Sequence, residues 1–262
     1  MKKILTVLLV LMMVVAFAAC TEDTGNASDA DVQTPVASTP DVDTPNDSEE
    51  EVEPPVEVKV MTYEEYMAAE LDTQVCVETY VQAHQAWWND SVVIYAQGPD
   101  GGYFFYNIAC SEADAEKLVP GTKIRVTGIK ANYSGEVEIN GGTFTFIEGA
   151  DTYIAEALDV TNLLGTDEMI NHQNKLVSFK GMTVESIEFK NGEPGDDIYV
   201  TLSKDGNSYS FCVEAYFTGA DTDVYKAVSA LVGGEMIDVE GFLYWYEGMN
   251  PHITSIELVE AL

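Results

Sequence analysis

The feature that most constrains the fold of this chain is a ten-residue pattern that occurs twice. The stretch VTGIKANYSG (126–135) returns 113 residues later as VEGFLYWYEG (239–248), and both follow V-x-G-x4-Y-x-G. Apolar and polar residues alternate before a turn that ends in glycine, which is typical of a strand followed by a hairpin. The sequence therefore predicts that one fold unit occurs twice.

The segments before each copy of the pattern also correspond. The first half has strand patterns marked by Val75, Val77 and Val81, then at 91–97, 103–109, 123–131 and 135–148, with a helix at 111–118. The second half has them at 176–184, 197–203, 208–214 and 235–248, with a helix at 222–232. Both hairpins turn at Asp-Gly, a strong hairpin signal. Each half thus reads β-β-β-α-β-β.

This element order is that of a five-stranded OB-fold barrel. Gly128 and Gly241 lie mid-strand, where glycine normally weakens a strand, so we expect each to mark a bend or bulge that lets a small barrel close. We predict a mainly β protein with two tandem five-stranded OB-like barrels. Two unrelated β domains with coincidental turns are the alternative.

The N-terminus is typical of an export signal. Two lysines precede an apolar run from Ile4 to Phe17, and small residues precede Cys20. The run is shorter than the ~20 residues that a membrane-spanning helix needs. The residues Phe17-Ala18-Ala19-Cys20 resemble the lipobox of bacterial lipoproteins, although leucine is more usual at position 17. That resemblance implies cleavage before Cys20 and diacylation of its sulfur, which would anchor the protein outside the cytoplasm in the cell membrane.

A strongly acidic segment follows the signal. Residues 21–58 contain 12 acidic and no basic residues, with many Pro, Thr and Ser. Such a composition cannot bury enough apolar surface to offset ordering entropy, so it predicts a disordered tether. The whole chain has a net charge of −33, which favours solubility and disfavours a nucleic-acid partner.

These boundaries give four regions. They are a signal peptide at 1–19, an acidic linker at 20–59, a first OB-like barrel with a leading helix at 60–158, and a second OB-like barrel with a helical connector at 159–262. Thr62 and Glu65 form a T-x-x-E capping box, which predicts that the leading helix begins at residue 63. The chain resembles exported bacterial lipoproteins with tandem OB-fold domains over about 71–262, a resemblance of topology that names no ligand.

Three cysteines remain after Cys20. Cys76 and Cys110 are the only pair within one half, and an exported location permits a disulfide between them. Three small buried thiols, with Cys212 as the third, are the alternative.

The sequence contains no catalytic motif that we recognise. It has no H-E-x-x-H, G-x-S-x-G, Walker loop or C-x-x-C pattern. The three histidines are far apart, so we expect no metal site and no cofactor. Asp196-Asp197 and Asp221-x-Asp223 are candidates only for weak Ca²⁺ binding. Glu136 and Glu138 share a strand face, which we interpret as a solvated face.

The candidate ligand surface lies on the first barrel. OB-folds usually bind through the loop between strands 1 and 2, the face of strands 2 and 3, and the loop between strands 4 and 5. Aromatic and imidazole side chains on these elements, and at the equivalent turn of the second barrel, are the ligand-binding candidates: His84, Trp87, Trp88, Tyr95, Tyr103, Tyr133 and Trp245. The alternative is that the Tyr and Phe residues fill the core and the Trp pair packs against a neighbouring element.

We therefore expect a non-catalytic, monomeric, membrane-anchored binding protein whose ligand is an envelope glycan or a surface protein. The alternatives are an accessory or enzyme of exported nucleic-acid or envelope processing, and a structural spacer. A cluster of Asp, His and Glu in one cleft would favour an enzyme. An exposed Trp87 or Trp88 would favour binding, and burial of both would favour the spacer.

Overall fold

The structure is a computed structural model that describes residues 58–259. These residues belong to one compact unit, Pro54–Leu262. The predicted signal peptide (1–19), the lipidation site Cys20 and nearly all of the predicted linker (20–59) lie outside the described residues.

The chain enters the first half through the short helix α1 (Tyr63–Ala68). The predicted capping box is confirmed, because the Thr62 hydroxyl accepts a hydrogen bond from the Glu65 backbone N–H and the Glu65 carboxylate accepts one from the Thr62 N–H. The helix buries Tyr66, which joins the hydrophobic core of the first half.

Five strands of the first half close into a barrel. They are β1 (Gln74–His84), β2 (Ser91–Gln97), β3 (Gly102–Ala109), β4 (Lys123–Tyr133) and β5 (Glu136–Phe146), with helix α2 (Glu112–Ala115) between β3 and β4. The order around the barrel is β1-β2-β3-β5-β4, with β3 and β5 parallel and β4 returning to β1. The predicted OB-like order of elements is confirmed for this half.

Gly128 lies at an irregularity in β4, as predicted. The register with β5 shifts between Thr127 and Ile129. A Cβ atom at position 128 would lie 2.1 Å from the carbonyl oxygen of Gly141 on the neighbouring strand. Only glycine allows this close approach, which bends the strand and helps the sheet to close.

The three cysteines of the described residues form no disulfide in this structure. Cys76, Cys110 and Cys212 are all free and buried, so the bridge between Cys76 and Cys110 is not formed. Val75, Val77 and Cys110 belong to the barrel core, whereas Cys76 does not. Because successive side chains of a strand point to opposite faces, Cys76 faces away from Cys110 across the wall of the barrel.

The second half is also mainly β. Its elements are β6 (Leu158–Asp159), β7 (Leu176–Phe189), β8 (Ile198–Lys204), β9 (Asn207–Val213), α3 (Ala215–Thr218), α4 (Asp223–Ser229), β10 (Met236–Phe242) and β11 (His252–Leu258), with 3₁₀ turns at Thr161–Leu163 and Asp167–His172. The strand order is β10-β11-β9-β8-β7-β6, with a further pairing of β10 with β7.

Gly241 repeats the role of Gly128. The register of β10 with β11 shifts between Glu240 and Gly241. A Cβ atom at position 241 would lie 2.3 Å from the His252 carbonyl oxygen. The glycine of the repeated pattern therefore permits the same close approach of backbones in both halves.

The turns that end the two repeats share a positive-φ residue followed by glycine, and the two turns touch. Ser134 and Glu247 have φ of 51° and 55°, and the glycines after them, Gly135 and Gly248, also have positive φ. The Glu247 N–H donates a 2.7 Å hydrogen bond to the Ser134 carbonyl. The rings of Tyr133 and Tyr246, the equivalent tyrosines, lie 5.9 Å apart.

A hydrophobic cluster continues this contact between the halves. Tyr95 and Phe104 come from the first half, and Phe242 comes from the second. The Tyr95 ring stacks on Phe242 at 4.8 Å. The two halves therefore share buried apolar surface in addition to their separate cores.

Across residues 58–259 no helix has the length and apolar character that crossing a membrane requires.

Candidate functional site

A cavity of about 760 Å³ lies where the first and second halves meet. That volume is within the range of small-molecule sites. Its lining is dominated by aromatic rings and polar side chains, and it contains no Lys or Arg. The aromatic members are Phe104, Tyr106, Tyr133, Tyr199, Tyr244 and Tyr246, and the others are Gln85, Glu138, Asn140, Asp197, Cys212, Glu214, Asn250 and His252.

Strand alternation on β3 decides which aromatic residues reach the cavity. The sequence of β3 begins GYFFY (102–106). Tyr103 and Phe105 point into the barrel core. Phe104 and Tyr106 therefore point to the other face, where they line the cavity.

Four tyrosines at the cavity keep a large part of their side chains exposed. The exposed fractions are 48% for Tyr106, 55% for Tyr133, 45% for Tyr199 and 46% for Tyr246. Tyrosine offers a flat, rigid and amphipathic surface with few rotatable bonds. These rings are thus available to a ligand without any rearrangement of the core.

Glu136 and Glu138 on β5 lie on the face that the second half covers. They share a face, as predicted, but the interpretation of that face as solvated is wrong, since the two residues are 0% and 3% exposed. Ile139, on the opposite face, fills the barrel core. Burial raises the pKa of Glu136 to about 8. Burial also raises the pKa of Glu138, although a hydrogen bond from Asn140 opposes that shift.

Glu214 forms a hydrogen-bond network at the inner end of the cavity. The Gln85 side-chain amide donates to both of its carboxylate oxygens, at 2.8 and 2.9 Å. The Tyr95 hydroxyl donates to Oε2 at 3.1 Å and lies 2.6 Å from His252 Nδ1. Burial alone would raise the pKa of Glu214, but the hydrogen bonds from His252, Tyr95 and Gln85 together lower it.

His252 is held from two sides. Its Nδ1 lies 3.4 Å from Glu214 Oε2. Its ring stacks on Tyr244 with 4.5 Å between centroids. These contacts fix the plane of the imidazole, which is itself nearly buried at the wall of the cavity.

Asp197 is already paired within the protein. Its Oδ2 accepts a hydrogen bond from Lys190 Nζ at 2.9 Å, and its Oδ1 accepts one from the Ala215 backbone N–H. Asp196 accepts a hydrogen bond from Asn191. These partners occupy the oxygens that weak Ca²⁺ binding would use, and no group of three metal-ligating side chains occurs within the described part of the chain.

Two acceptor atoms at the cavity lack a protein partner. The Oδ1 atom of Asn250 is buried and receives no hydrogen bond. Glu138 accepts one hydrogen bond, from Asn140 to Oε1 at 2.8 Å, and no residue of 58–259 donates to its Oε2. An unpaired buried acceptor such as Asn250 Oδ1 is costly, and both atoms are natural positions for ligand donors.

Two of the predicted candidates are half-buried and support local structure. The Trp87 indole packs against the core of the first half and donates a hydrogen bond to the Cys110 carbonyl at 2.8 Å. His84 ends β1, and its Nδ1 lies 2.7 Å from the Gln85 carbonyl. Neither of them lines the cavity.

The remaining predicted candidates differ widely in exposure. Trp88 is 79% exposed, outside the cavity. Tyr95 and Tyr103 are each 1% exposed, so their rings do not form an open platform. Trp245 is half-buried against the second core and over Gly135. Of the seven candidates, Tyr133 alone lines the cavity.

Sequence reasoning missed the residues that the second half contributes. The sequence pattern predicts Tyr199 only as part of a strand, and no motif marks Glu214 or His252. One signal was available: Tyr246 is equivalent to Tyr133 in the repeated pattern. If one tyrosine marks a ligand surface, its repeat partner belongs to the same set.

Comparison with known proteins gives no family for this chain. No protein-family model matches the sequence, and no curated protein matches it either.

Solved structures share parts of the fold at low similarity. Asparaginyl-tRNA synthetase from Pyrococcus horikoshii, in complex with asparaginyl-adenylate, matches 34% of this chain and 20% of its own, at 17% identity and a TM-score of 0.27. A murine DNA-binding protein bound to double-stranded DNA matches 71% of this chain and 96% of its own, at 11% identity and a TM-score of 0.34. A replication protein A heterotrimer bound to single-stranded DNA matches 72% and 49%, at 11% identity and a TM-score of 0.29. At these low scores the similarities say nothing about function.

Proposed function

We propose that this chain is a membrane-anchored, extracytoplasmic binding protein whose ligand is an envelope glycan held in the tyrosine-lined cavity. The observation that carries the proposal is the set of four partly exposed tyrosine rings around amide and carboxylate side chains. A concave site that combines aromatic surface with a few converging polar groups is the usual form of a small-molecule site.

The chemistry of a sugar ring suits this lining. The C–H face of a pyranose is apolar and packs against the flat side of a tyrosine, whereas its hydroxyl groups lie at the edge of the ring. Asn140, Asn250 and Glu138 lie among the rings and offer acceptors to such hydroxyls. The unpaired Oδ1 of Asn250 would gain a hydrogen bond on binding.

The charge of the cavity opposes a nucleic-acid ligand. Binding a phosphate backbone depends on Lys and Arg side chains, and the lining of this cavity contains neither. Its acidic side chains, Glu138, Asp197 and Glu214, offer no favourable partner to a phosphate. Trp88 is strongly exposed, but it lies outside this cavity, so its ring is a separate aromatic surface.

The proposal includes a second OB-like barrel. The pairings run from β7 to β8, β9, β11, β10 and back to β7, with β9 and β11 parallel. This is the same succession as β1, β2, β3, β5 and β4 in the first half. The equivalent bulges at Gly128 and Gly241 support the correspondence.

The proposal also includes the lipid anchor at Cys20 and an acidic tether. It rests on the lipobox-like residues 17–20 and on the composition of residues 21–58. Two acyl chains would retain the protein at the membrane far better than one.

Calorimetric titration of residues 54–262 with envelope glycan fragments tests the ligand. We expect saturable binding that Tyr133→Ala and Tyr199→Ala each weaken at least about tenfold, equivalent to about 1.4 kcal/mol, because each removes one stacking surface. Trp88→Ala is the matched control, since it removes an exposed aromatic ring outside the cavity and should bind as wild type. An absence of binding to every fragment would contradict the proposal. Loss of binding in Trp88→Ala, with both tyrosine variants binding as wild type, would place the ligand site in the 84–91 segment instead.

Hydrolysis of a glycan is the second candidate function. Asp197, Glu214 and His252 converge on one cavity. Glu138 has a raised pKa and Glu214 a lowered pKa, and such divergence between two carboxylates is typical of an acid and base pair. Chromatography of the titrated samples distinguishes the two functions: shortened fragments would show hydrolysis, and intact fragments would show binding alone.

A further inference from the structure

The carboxylates of the cavity differ in how fully the protein neutralises them. Asp197 has a salt bridge with Lys190 at 2.9 Å. Glu214 receives hydrogen bonds from Gln85 and Tyr95 and lies beside His252. Both carboxylates thus have charged or multiple polar partners inside the protein. Neither depends on a ligand for its stabilisation.

Glu138 lacks such partners. The residue is 3% exposed, and its one hydrogen-bond donor is the neutral amide of Asn140. No Lys or Arg lines the cavity, and within residues 58–259 no salt bridge reaches this carboxylate. Its Oε2 has no donor within the same residues. Glu138 is therefore a nearly buried carboxylate that lines an open cavity with one side unpaired.

The aromatic lining, like the Glu138 carboxylate, favours a positively charged ligand. The face of a tyrosine ring carries partial negative charge and attracts cations. Tyr106, Tyr133, Tyr244 and Tyr246 share the cavity with Glu138. An organic cation would satisfy the carboxylate and rest on the rings at once.

We propose that the cavity recognises its ligand through a positively charged nitrogen, a protonated or quaternary amine, held between Glu138 and the tyrosine rings. This inference rests on the proposed function and narrows its ligand to an amine-bearing glycan. A neutral sugar would leave Glu138 without a counter-charge in a desolvated position, which disfavours the carboxylate, whereas a cationic ligand would stabilise it.

A metal ion does not meet the same requirements. Ca²⁺ takes six to eight oxygen ligands, and the described residues contain no group of three acidic, histidine or cysteine side chains placed to hold an ion. An ammonium group needs one carboxylate and accepts aromatic faces for the rest of its surroundings. The arrangement around Glu138 thus fits an organic cation better.

The test compares two oligosaccharides that differ only in charge. Full-length protein in detergent is titrated calorimetrically with a glucosamine oligomer that carries free amines and with its N-acetylated counterpart, at about pH 6 so that the amines are protonated. We expect the amine form to bind at least tenfold more tightly. Glu138→Gln preserves the size of the side chain and its acceptor for Asn140, and it should reduce this preference to less than threefold.

Glu257→Gln is the matched control. Glu257 is an exposed residue on β11 outside the cavity lining, and its substitution changes the net charge of the protein by the same amount. The preference for the amine form should be unchanged in this variant. Thermal unfolding of both variants checks that they are folded.

Each other outcome has a definite meaning. Equal binding of the two oligomers, or tighter binding of the acetylated one, would overturn the amine proposal and leave glycan binding intact. If Glu138→Gln and Glu257→Gln reduce the preference for the amine form equally, the amine proposal is overturned. The preference would then come from the overall negative charge of the protein. Binding of neither oligomer, but of choline or spermidine in a Glu138-dependent way, would support the amine site and overturn the glycan.

Discussion

At Glu136 a carboxyl group is buried completely between the two halves of the protein. Its Oε2 accepts hydrogen bonds from the Trp245 backbone N–H at 2.8 Å and the Gln173 side chain at 3.3 Å, while its Oε1 has no partner. Burial raises its pKa to about 8, so the neutral acid predominates at pH 7. Protonation is the means by which this site avoids an isolated buried charge.

Stability should therefore depend on pH through this residue. A pKa raised in the folded state gives stability that is present below the unfolded value of 4.5 and is lost as the pH rises through about 8. At about 1.4 kcal/mol for each pKa unit, the loss amounts to several kcal/mol. Urea unfolding at pH 5, 7 and 9 should show this decline in wild type and a much flatter profile in Glu136→Gln.

Glu257→Gln is a suitable control for that profile, because Glu257 is exposed on a strand outside the interface. It should decline with pH as wild type does. A Glu136→Gln protein that also declines like wild type would show that another group carries the effect.

The residue pattern of each strand predicts that side chains alternate between its two faces. It does not predict which face points into the core. In β3 both faces are aromatic, so composition alone could not show that Tyr103 fills the core and Tyr106 lines the cavity. The shared face of Glu136 and Glu138 was predictable from their spacing. Its burial was not, because the residues that cover it come from the second half, more than thirty positions further along the chain.

At the scale of elements, local chemistry was the reliable guide. The Thr62 capping box, the Asp-Gly hairpins and the mid-strand glycines each lie where the sequence predicted them. Each of these signals is read within a few residues and depends little on the rest of the fold. The segment between β10 and β11 was harder to predict, because its backbone is largely irregular and includes one isolated bridge, between Trp245 and Met249.

If the two halves are equivalent, an alanine at Gly128 and an alanine at Gly241 should destabilise the protein to a similar extent. Gly128→Ala places Cβ at 2.1 Å from Gly141 O, and Gly241→Ala places it at 2.3 Å from His252 O. We expect each change to cost at least about 2 kcal/mol through strand displacement. Thermal unfolding should show the midpoint lowered by several degrees in both variants.

Gly233→Ala provides the comparison for these two substitutions. Gly233 lies in an exposed turn, and the nearest atom to its added Cβ is 3.4 Å away. The thermal unfolding midpoint of Gly233→Ala should stay within about a degree of wild type, because an ordinary van der Waals contact costs little. A tolerated Gly241→Ala beside a damaging Gly128→Ala would contradict the proposed second barrel.

At the scale of the whole molecule, the cavity is a product of how the halves meet. Tyr133 and Glu138 come from one half, and Tyr199 and His252 come from the other. The repeat predicted that two units exist, but no periodicity or motif encodes the surface by which they associate. Of the seven predicted candidates, six from the first half and one from the second, a single residue therefore lines the cavity.

The anchor is also a property of the whole molecule, and it is tested in cells. Cys20→Ala removes the sulfur that would be acylated, so we expect the exported chain to move from the membrane fraction to the medium. Cys76→Ala, which alters a buried free thiol, should stay with the membrane. Retention of Cys20→Ala at the membrane, shown by fractionation and immunoblotting, would contradict the lipid anchor.

The burial of Glu136 makes the association of the two halves depend on protons. Gln173 and Trp245 of the second half supply the hydrogen bonds to its carboxyl group. Without that half Glu136 would face water, where a carboxyl group is ionised at neutral pH. When the second half arrives and covers it, the group takes up a proton, and the pH dependence that Glu136→Gln removes measures that uptake. The docking of the two halves is therefore a proton-consuming step, favoured where the surroundings are acidic.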